Sequence, residues 1–128
     1  MGESGDPRVQ LVRTLTDAYN RGDWDGLRRG AHPDIEVQRP GGLGVTVGQD
    51  EVVERMAPEV MESQRFELHR IEMRGDIALA EGILHARGAG SGIEITQQQW
   101  TVYRFEGDLV RRMEIYHDRE DALAAAWG

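Results

Sequence analysis

The sequence predicts an α+β fold, with helices packed on one face of a curved antiparallel sheet, and three observations predict it. Residues 7–56 place apolar side chains mostly at helical spacing, interrupted by one short alternating stretch. Residues 66–118 alternate in four stretches separated by glycine-bearing turns. Residues 119–126 return to a helical pattern behind an acidic cap.

Each element has a local cause. Asp6-Pro7 supplies an N-cap acid followed by proline at the first helical position. Val9, Val12, Leu15 and Tyr19 then follow one stripe, widened by Leu11 and Ala18, and Gly22 fits the left-handed residue that ends such a helix. Asp23 caps a second short helix over 24–29, with Trp24 and Leu27 facing inward. His32-Pro33-Asp34 reads as a turn, residues 35–39 as a strand, and Pro40-Gly41-Gly42 as its stop. A third helical stretch begins near Gln49 and carries Val52, Val53, Met56, Val60 and Met61. Pro58 within it predicts a kink, or an end near Ala57.

Strands are expected over 66–74, 77–87, 93–105 and 109–118, joined by hairpin turns at Gly75-Asp76, Gly88–Gly92 and Gly107-Asp108. In the strand 77–87 one face holds Ala78, Ala80, Gly82, Leu84 and Ala86, small enough for helices to approach closely. The other face mixes Glu81 and His85 with Ile77, Leu79 and Ile83, which suits solvent or a second subunit. Asp118, with Asp121 three residues on, resembles a capping box for the last helix. No repeat or long linker divides the 128 residues, so a single domain spanning 1–128 is expected, with a flexible N-terminus over about residues 1–6.

Composition narrows the chemistry. With no cysteine there is no thiolate nucleophile and no cysteine metal site. All fifteen basic residues are arginine, which excludes a Schiff-base lysine and the lysine of a phosphate-binding P-loop. A net charge of −8 opposes nucleic-acid binding, and Arg28-Arg29 and Arg111-Arg112 are too short to reverse it. No apolar run is long enough for a bilayer, and the acidic start is unlike a signal peptide, so no membrane partner and a cytoplasmic location are expected. The histidines at 32, 69, 85 and 117 show no metal-ligand spacing, and the glycines of 88–92 open no helix; neither a metal nor a cofactor is expected.

The stretch Ala18-Tyr19-Asn20-Arg21-Gly22-Asp23-Trp24-Asp25-Gly26-Leu27 resembles the opening of SnoaL-like proteins, within the nuclear-transport-factor-2-like superfamily. The stretch from Trp100 to Asp118, with the helix after it, is similar to their closing hairpin and helix. The Gly48-Gln49-Asp50 helix start and the Gly75-Asp76 turn fall where that family has them. The resemblance implies a cone-shaped, cystatin-like fold whose helices pack on the concave face of a curved mixed or antiparallel sheet, an apolar pocket at the open end, and a homodimer through the sheet. The superfamily holds ketosteroid isomerases, limonene epoxide hydrolases, scytalone dehydratases and polyketide cyclases, and non-catalytic domains too. The isomerase tyrosine, base and second acid fall here on Leu15, Arg39 and Thr101. The epoxide-hydrolase arginine and two aspartates fall on Gly82, Leu84 and Ile115. Both of those activities are therefore disfavoured.

Three residues are candidates for catalysis. His117, near the end of the last strand, carries an imidazole, a group that exchanges protons near neutrality; its alternative is a structural hydrogen bond at the rim. Arg39 would stabilise an enolate, phenolate or carboxylate, or else pair with a nearby acid or point outward. Tyr103 would hold developing negative charge. Tyr19, Gln97, Gln99, Trp100, Met113 and Ile115 are candidate ligand contacts. Gln97, Gln99, Thr101 and Tyr103 share one strand face and Trp100 and Val102 the other, and turn length sets which faces inward. The expected function is binding of a small hydrophobic metabolite, with lyase, isomerase, cyclase or hydratase chemistry. The alternative is a non-catalytic ligand-binding or interaction domain.

Overall fold

The computed structural model describes residues 6–56 and 61–128. The chain runs α1 (Pro7–Arg21), α2 (Trp24–Gly30), β1 (Ala31–Gln38), a 3-10 turn (Pro40–Gly42), β2 (Val45–Val47), α3 (Gln49–Met56), β3 (Met61–Arg74), β4 (Ile77–Gly88), β5 (Glu94–Glu106), β6 (Leu109–Tyr116) and α4 (Arg119–Trp127). The strands form one curved six-stranded sheet in the order β2-β1-β6-β5-β4-β3. Only β1 and β6 pair in parallel; every other pair of neighbours is antiparallel.

The capping signals act as their chemistry dictates. Asp6 accepts from the Arg8 amide, Asp23 from Gly26 and Asp118 from Asp121, each satisfying a helix-end donor. Gly22 ends α1 at φ 70°, a conformation that costs a side-chain-bearing residue energy. The two-residue turns Gly75-Asp76 and Gly107-Asp108 join strands whose registers close at Arg74↔Ile77 and Glu106↔Leu109. Arg8 also reaches Asp76, at 2.9 Å, tying the start of α1 to the β3–β4 turn.

The main core lies between α1, α3 and the concave face. Val9, Val12, Leu15 and Val52 pack there against Ile35, Val37, Ile71, Ala78, Ala80, Tyr103, Phe105 and Val110. Ala78 and Ala80 are the small side chains that let α1 close on the sheet, and Gly82 continues the same logic. A Cβ at Gly82 would collide with the Glu67 carbonyl oxygen and the Phe66 ring, so only glycine admits β3 at that distance.

The opposite face is covered in part. There α4 lays Ala122 and Ala126 over Leu79, Trp100 and Val102. The reading that all helices share one face therefore holds for α1, α2 and α3, whereas α4 closes one end of the back. Arg104 anchors it, donating to the Ala125 carbonyl at 2.7 Å and to the buried Glu114 carboxylate at 3.0 Å. Arg112 donates to the same Glu114 oxygen at 2.9 Å, and Tyr116 donates to the other at 3.2 Å. Burial alone would raise the pKa of Glu114, but the hydrogen bonds from Arg104 and Arg112 outweigh it and hold the carboxyl below its ordinary value.

Four local expectations need correction. His32-Pro33-Asp34 lies inside β1, not in a turn, and the register with β6 slips between Ala31 and Glu36, which gives the proline a place without a ladder donor. β2 was not foreseen, because three residues between Gly44 and Gly48 are too few to show a period. Met61 starts β3 instead of extending α3, so that strand begins five residues before Phe66. The strand expected from Ile93 begins at Glu94. The suggested bend at Pro58, the end near Ala57, the helical Val60 and the N-terminal segment 1–5 lie outside the described residues. No helix among the described residues is long and apolar enough to cross a membrane.

Candidate functional site

A cavity of about 360 Å³ lies between the first three helices and the concave face, at the lower end of the range of small-molecule sites. Its depth is graded by burial. The buried wall consists of Leu15 and Thr16 from α1, Ile35 and Val37 from β1, Val52 and Val53 from α3, Phe66 from β3, Thr101 and Tyr103 from β5, and Val110 from β6. Half-buried or exposed Arg28, Arg39, Gln49, Arg55, Gln64, Gln99 and His117 also border it. Apolar side chains thus form most of the interior, with polar groups concentrated where solvent reaches.

Strand register explains how distant residues meet. β1 and β6 run in parallel with Val37 opposite Met113 and Gln38 opposite Glu114. Both strands therefore finish at the same end of the sheet. Arg39 follows the last residue of β1, and Ile115 and His117 continue the inward alternation of Met113 on β6. The Arg39 amide donates to the Gly44 carbonyl at 2.9 Å, closing the turn that precedes β2. Its side chain makes no hydrogen bond or ion pair among the described residues, and neither does that of His117.

Tyr103 is 6% exposed, and burial pushes its phenol up to about 12 against a weaker opposing hydrogen bond with Thr16. It therefore stays protonated throughout the physiological range. Thr16 donates back to the Val12 carbonyl at 2.9 Å, which leaves its oxygen free to accept. Tyr19 is also pushed up to about 12 by burial and sits edge-on to Trp24, with ring centroids 6.3 Å apart.

Seven of the nine residues singled out in the sequence border this cavity: Arg39, Tyr103, His117, Tyr19, Gln99, Met113 and Ile115. Two do not. Trp100 points to the opposite face, packed with Leu79 and Val102 beneath α4, because alternation that turns Gln99, Thr101 and Tyr103 inward must turn Trp100 outward. Gln97 shares the inward alternation but lies beyond the cavity wall, its amide donating to the Gln98 carbonyl at 3.1 Å.

Sequence reasoning also missed several wall residues. Arg55 lies three positions after Val52, on the same side of α3, a spacing that was legible. Gln49 donates to the Arg28 and Ala31 carbonyls at 3.2 and 2.9 Å, fixing the α2–β1 junction. Gln64 donates to the Met56 carbonyl, and nothing in its own strand pattern marks that partner. Among the described residues no group of three or more histidines or carboxylates is placed to hold a metal.

A curved sheet closed on one side by three helices around a cavity defines the nuclear-transport-factor-2-like class. The SnoaL-like domain model matches residues 12–113, and the chain belongs to that family. No curated protein matches the sequence. A solved nuclear-transport-factor-2-like protein of unknown function from Burkholderia pseudomallei is 22% identical, with a TM-score of 0.80 over 96% of this chain and 99% of that one. TerC, co-crystallised with polyporic acid, is 20% identical, with a TM-score of 0.79 over 94% of this chain and 98% of that one. A protein described as a SnoaL-like polyketide cyclase, from Jannaschia, is 17% identical, with a TM-score of 0.79 over 98% of this chain and 97% of that one. Likeness at such identities concerns the fold.

Proposed function

We propose that this chain binds a small hydrophobic metabolite in the cavity and moves a proton on it without a cofactor, as a lyase, isomerase, cyclase or hydratase does. One observation carries the reading: Arg39, Tyr103 and His117 border a single cavity whose interior is mainly apolar. His117 takes or delivers the proton, and Arg39 and the protonated Tyr103 hold negative charge that develops on a carbonyl or hydroxyl oxygen. The apolar walls around the buried Tyr103 strengthen its hydrogen bond to that oxygen by excluding water. The co-crystallisation of TerC with polyporic acid supports a small organic ligand for this fold.

A second reading, a binder without catalysis, is favoured by one fact. His117 is exposed, and no described side chain orients its ring, whereas an acid–base imidazole is usually held by a partner. In either case the working unit is proposed to be a homodimer through the back of the sheet, where α4 leaves Ile83 half-exposed beside Glu81 and His85. Sedimentation velocity at micromolar concentration tests it, and a monomer would refute it.

Thermal unfolding against polyketide, terpenoid, steroid and aromatic-acid ligands tests the main reading. A ligand at 100 times its Kd adds about 2.7 kcal/mol, a shift of several degrees. The shift is expected in the wild type and reduced in Arg39→Ala and His117→Leu. Turnover of the same ligand, lost in His117→Leu while binding survives, selects catalysis over binding alone. No shift with any ligand class, alongside variants as stable as the wild type, would remove the two-residue site.

A further inference from the structure

The chain carries twenty-three acidic residues against fifteen arginines, so an arbitrary concavity should be lined by acids at least as often as by arginines. The cavity wall is the reverse. Among the described residues it holds Arg28, Arg39, Arg55 and His117, and not one aspartate or glutamate. Arg28 is already engaged, at 3.0 Å from Asp25 and 3.3 Å from Asp50. Arg39 and Arg55 have no ion pair among the described residues. Elsewhere the arginines are tied off: Arg8 with Asp6 and Asp76, Arg104 with Glu114, Arg112 with Glu36 and Glu114.

The half-buried guanidinium of Arg39, beside an apolar cavity, is costly to desolvate unless an anion meets it, and the exposed Arg55 adds a second positive charge at the cavity edge. Arg39 reaches the wall from the end of β1 and Arg55 from the last turn of α3, so their charges approach from two elements. Within a protein of net charge −8, this gives a locally positive opening that concentrates anions and repels cations.

We infer that the site selects acidic amphiphiles: molecules whose apolar body enters the cavity while a carboxylate, or an equally acidic enol or phenol, meets Arg39 and Arg55 at its edge. The inference rests on the small-molecule reading above and adds the charge of the ligand. A planar guanidinium fork receives a carboxylate through two parallel hydrogen bonds, which an uncharged amide or ester cannot match.

Matched pairs test it: 2-naphthoate against 2-naphthamide, and decanoate against decanamide, by titration calorimetry on the full chain. In the wild type the acid should bind about tenfold more tightly than its amide, the scale of a charge-assisted hydrogen bond. The preference should shrink on raising the salt concentration. It should fall in Arg39→Gln and Arg55→Gln, partly return in Arg39→Lys, and persist in Arg70→Gln, which alters an exposed strand arginine outside the wall. Melting of each unliganded variant verifies that it folds. Amides binding as tightly as acids would overturn the charge selection and leave the small-molecule reading standing. A preference unchanged in both glutamine variants would also overturn the assignment. Failure of every acid and amide to bind would defeat both readings.

Discussion

The two faces of the sheet use the same amino acid in opposite ways. Behind it, Arg104 and Arg112 grip Glu114, and Arg112 also reaches Glu36 and Gln38, linking β1, β6 and β5 and tethering α4. In front, Arg39 and Arg55 border a cavity without a carboxylate among its described wall residues. On the back the charges are spent on holding elements together. In front, structure is held by apolar packing and backbone caps, and the charges remain available. Stability and recognition are therefore expected to separate by face.

The largest expected effect breaks the back without touching the front. Trp100→Ala should cost about 3–5 kcal/mol in urea unfolding, the scale for truncating a buried tryptophan. Affinity for any cavity ligand, measured where the variant is folded, should change little. A large loss of affinity at full stability would mean that Trp100 contacts the ligand after all.

Next is Glu114→Ala, expected to cost about 3 kcal/mol, because Arg104 and Arg112 would lose their shared buried partner. The same network should appear in acid. The folded-state pKa of Glu114 lies below its unfolded value, so its stabilisation is present above the unfolded carboxylate range. That stabilisation is lost as pH falls through the folded value. Glu114→Gln should flatten this part of the acid limb; an unchanged limb would show that the network adds nothing.

On the front, the alkaline limb tests Tyr103. A phenol pushed up to about 12 when folded ionises earlier when unfolded, so stability should be complete below pH about 10. Between about 10 and 12 it should decline, by about 2–3 kcal/mol. Tyr103→Phe should remove that share of the decline.

The smallest stability effect belongs to Arg39→Ala, expected to stay within about 0.5 kcal/mol of the wild type. A loss comparable to that of Glu114→Ala would mean that Arg39 serves the fold, and the contrast between the faces would fail.

What the sequence determined by itself was local. Asp6, Asp23 and Asp118 cap helices, Gly22 ends one, and Gly75 and Gly107 turn hairpins through interactions spanning a few residues. Alternation in β4 revealed the small face at Ala78 and Ala80 for the same reason. Alternation also grouped Gln99 with Tyr103 and set Trp100 apart, yet it could not say which group faced the cavity. Tertiary structure decided that, through the β4–β5 and β5–β6 registers, in which a one-residue slip would exchange the faces. The parallel pairing of β1 with β6 brought Arg39 and His117 to one cavity across 77 intervening residues, and no local signal encodes such a pairing. The same holds for α4: its cap and helical pattern are written in the chain, but the side of the sheet it covers follows from the Arg104 tether and the back-face cluster around Trp100.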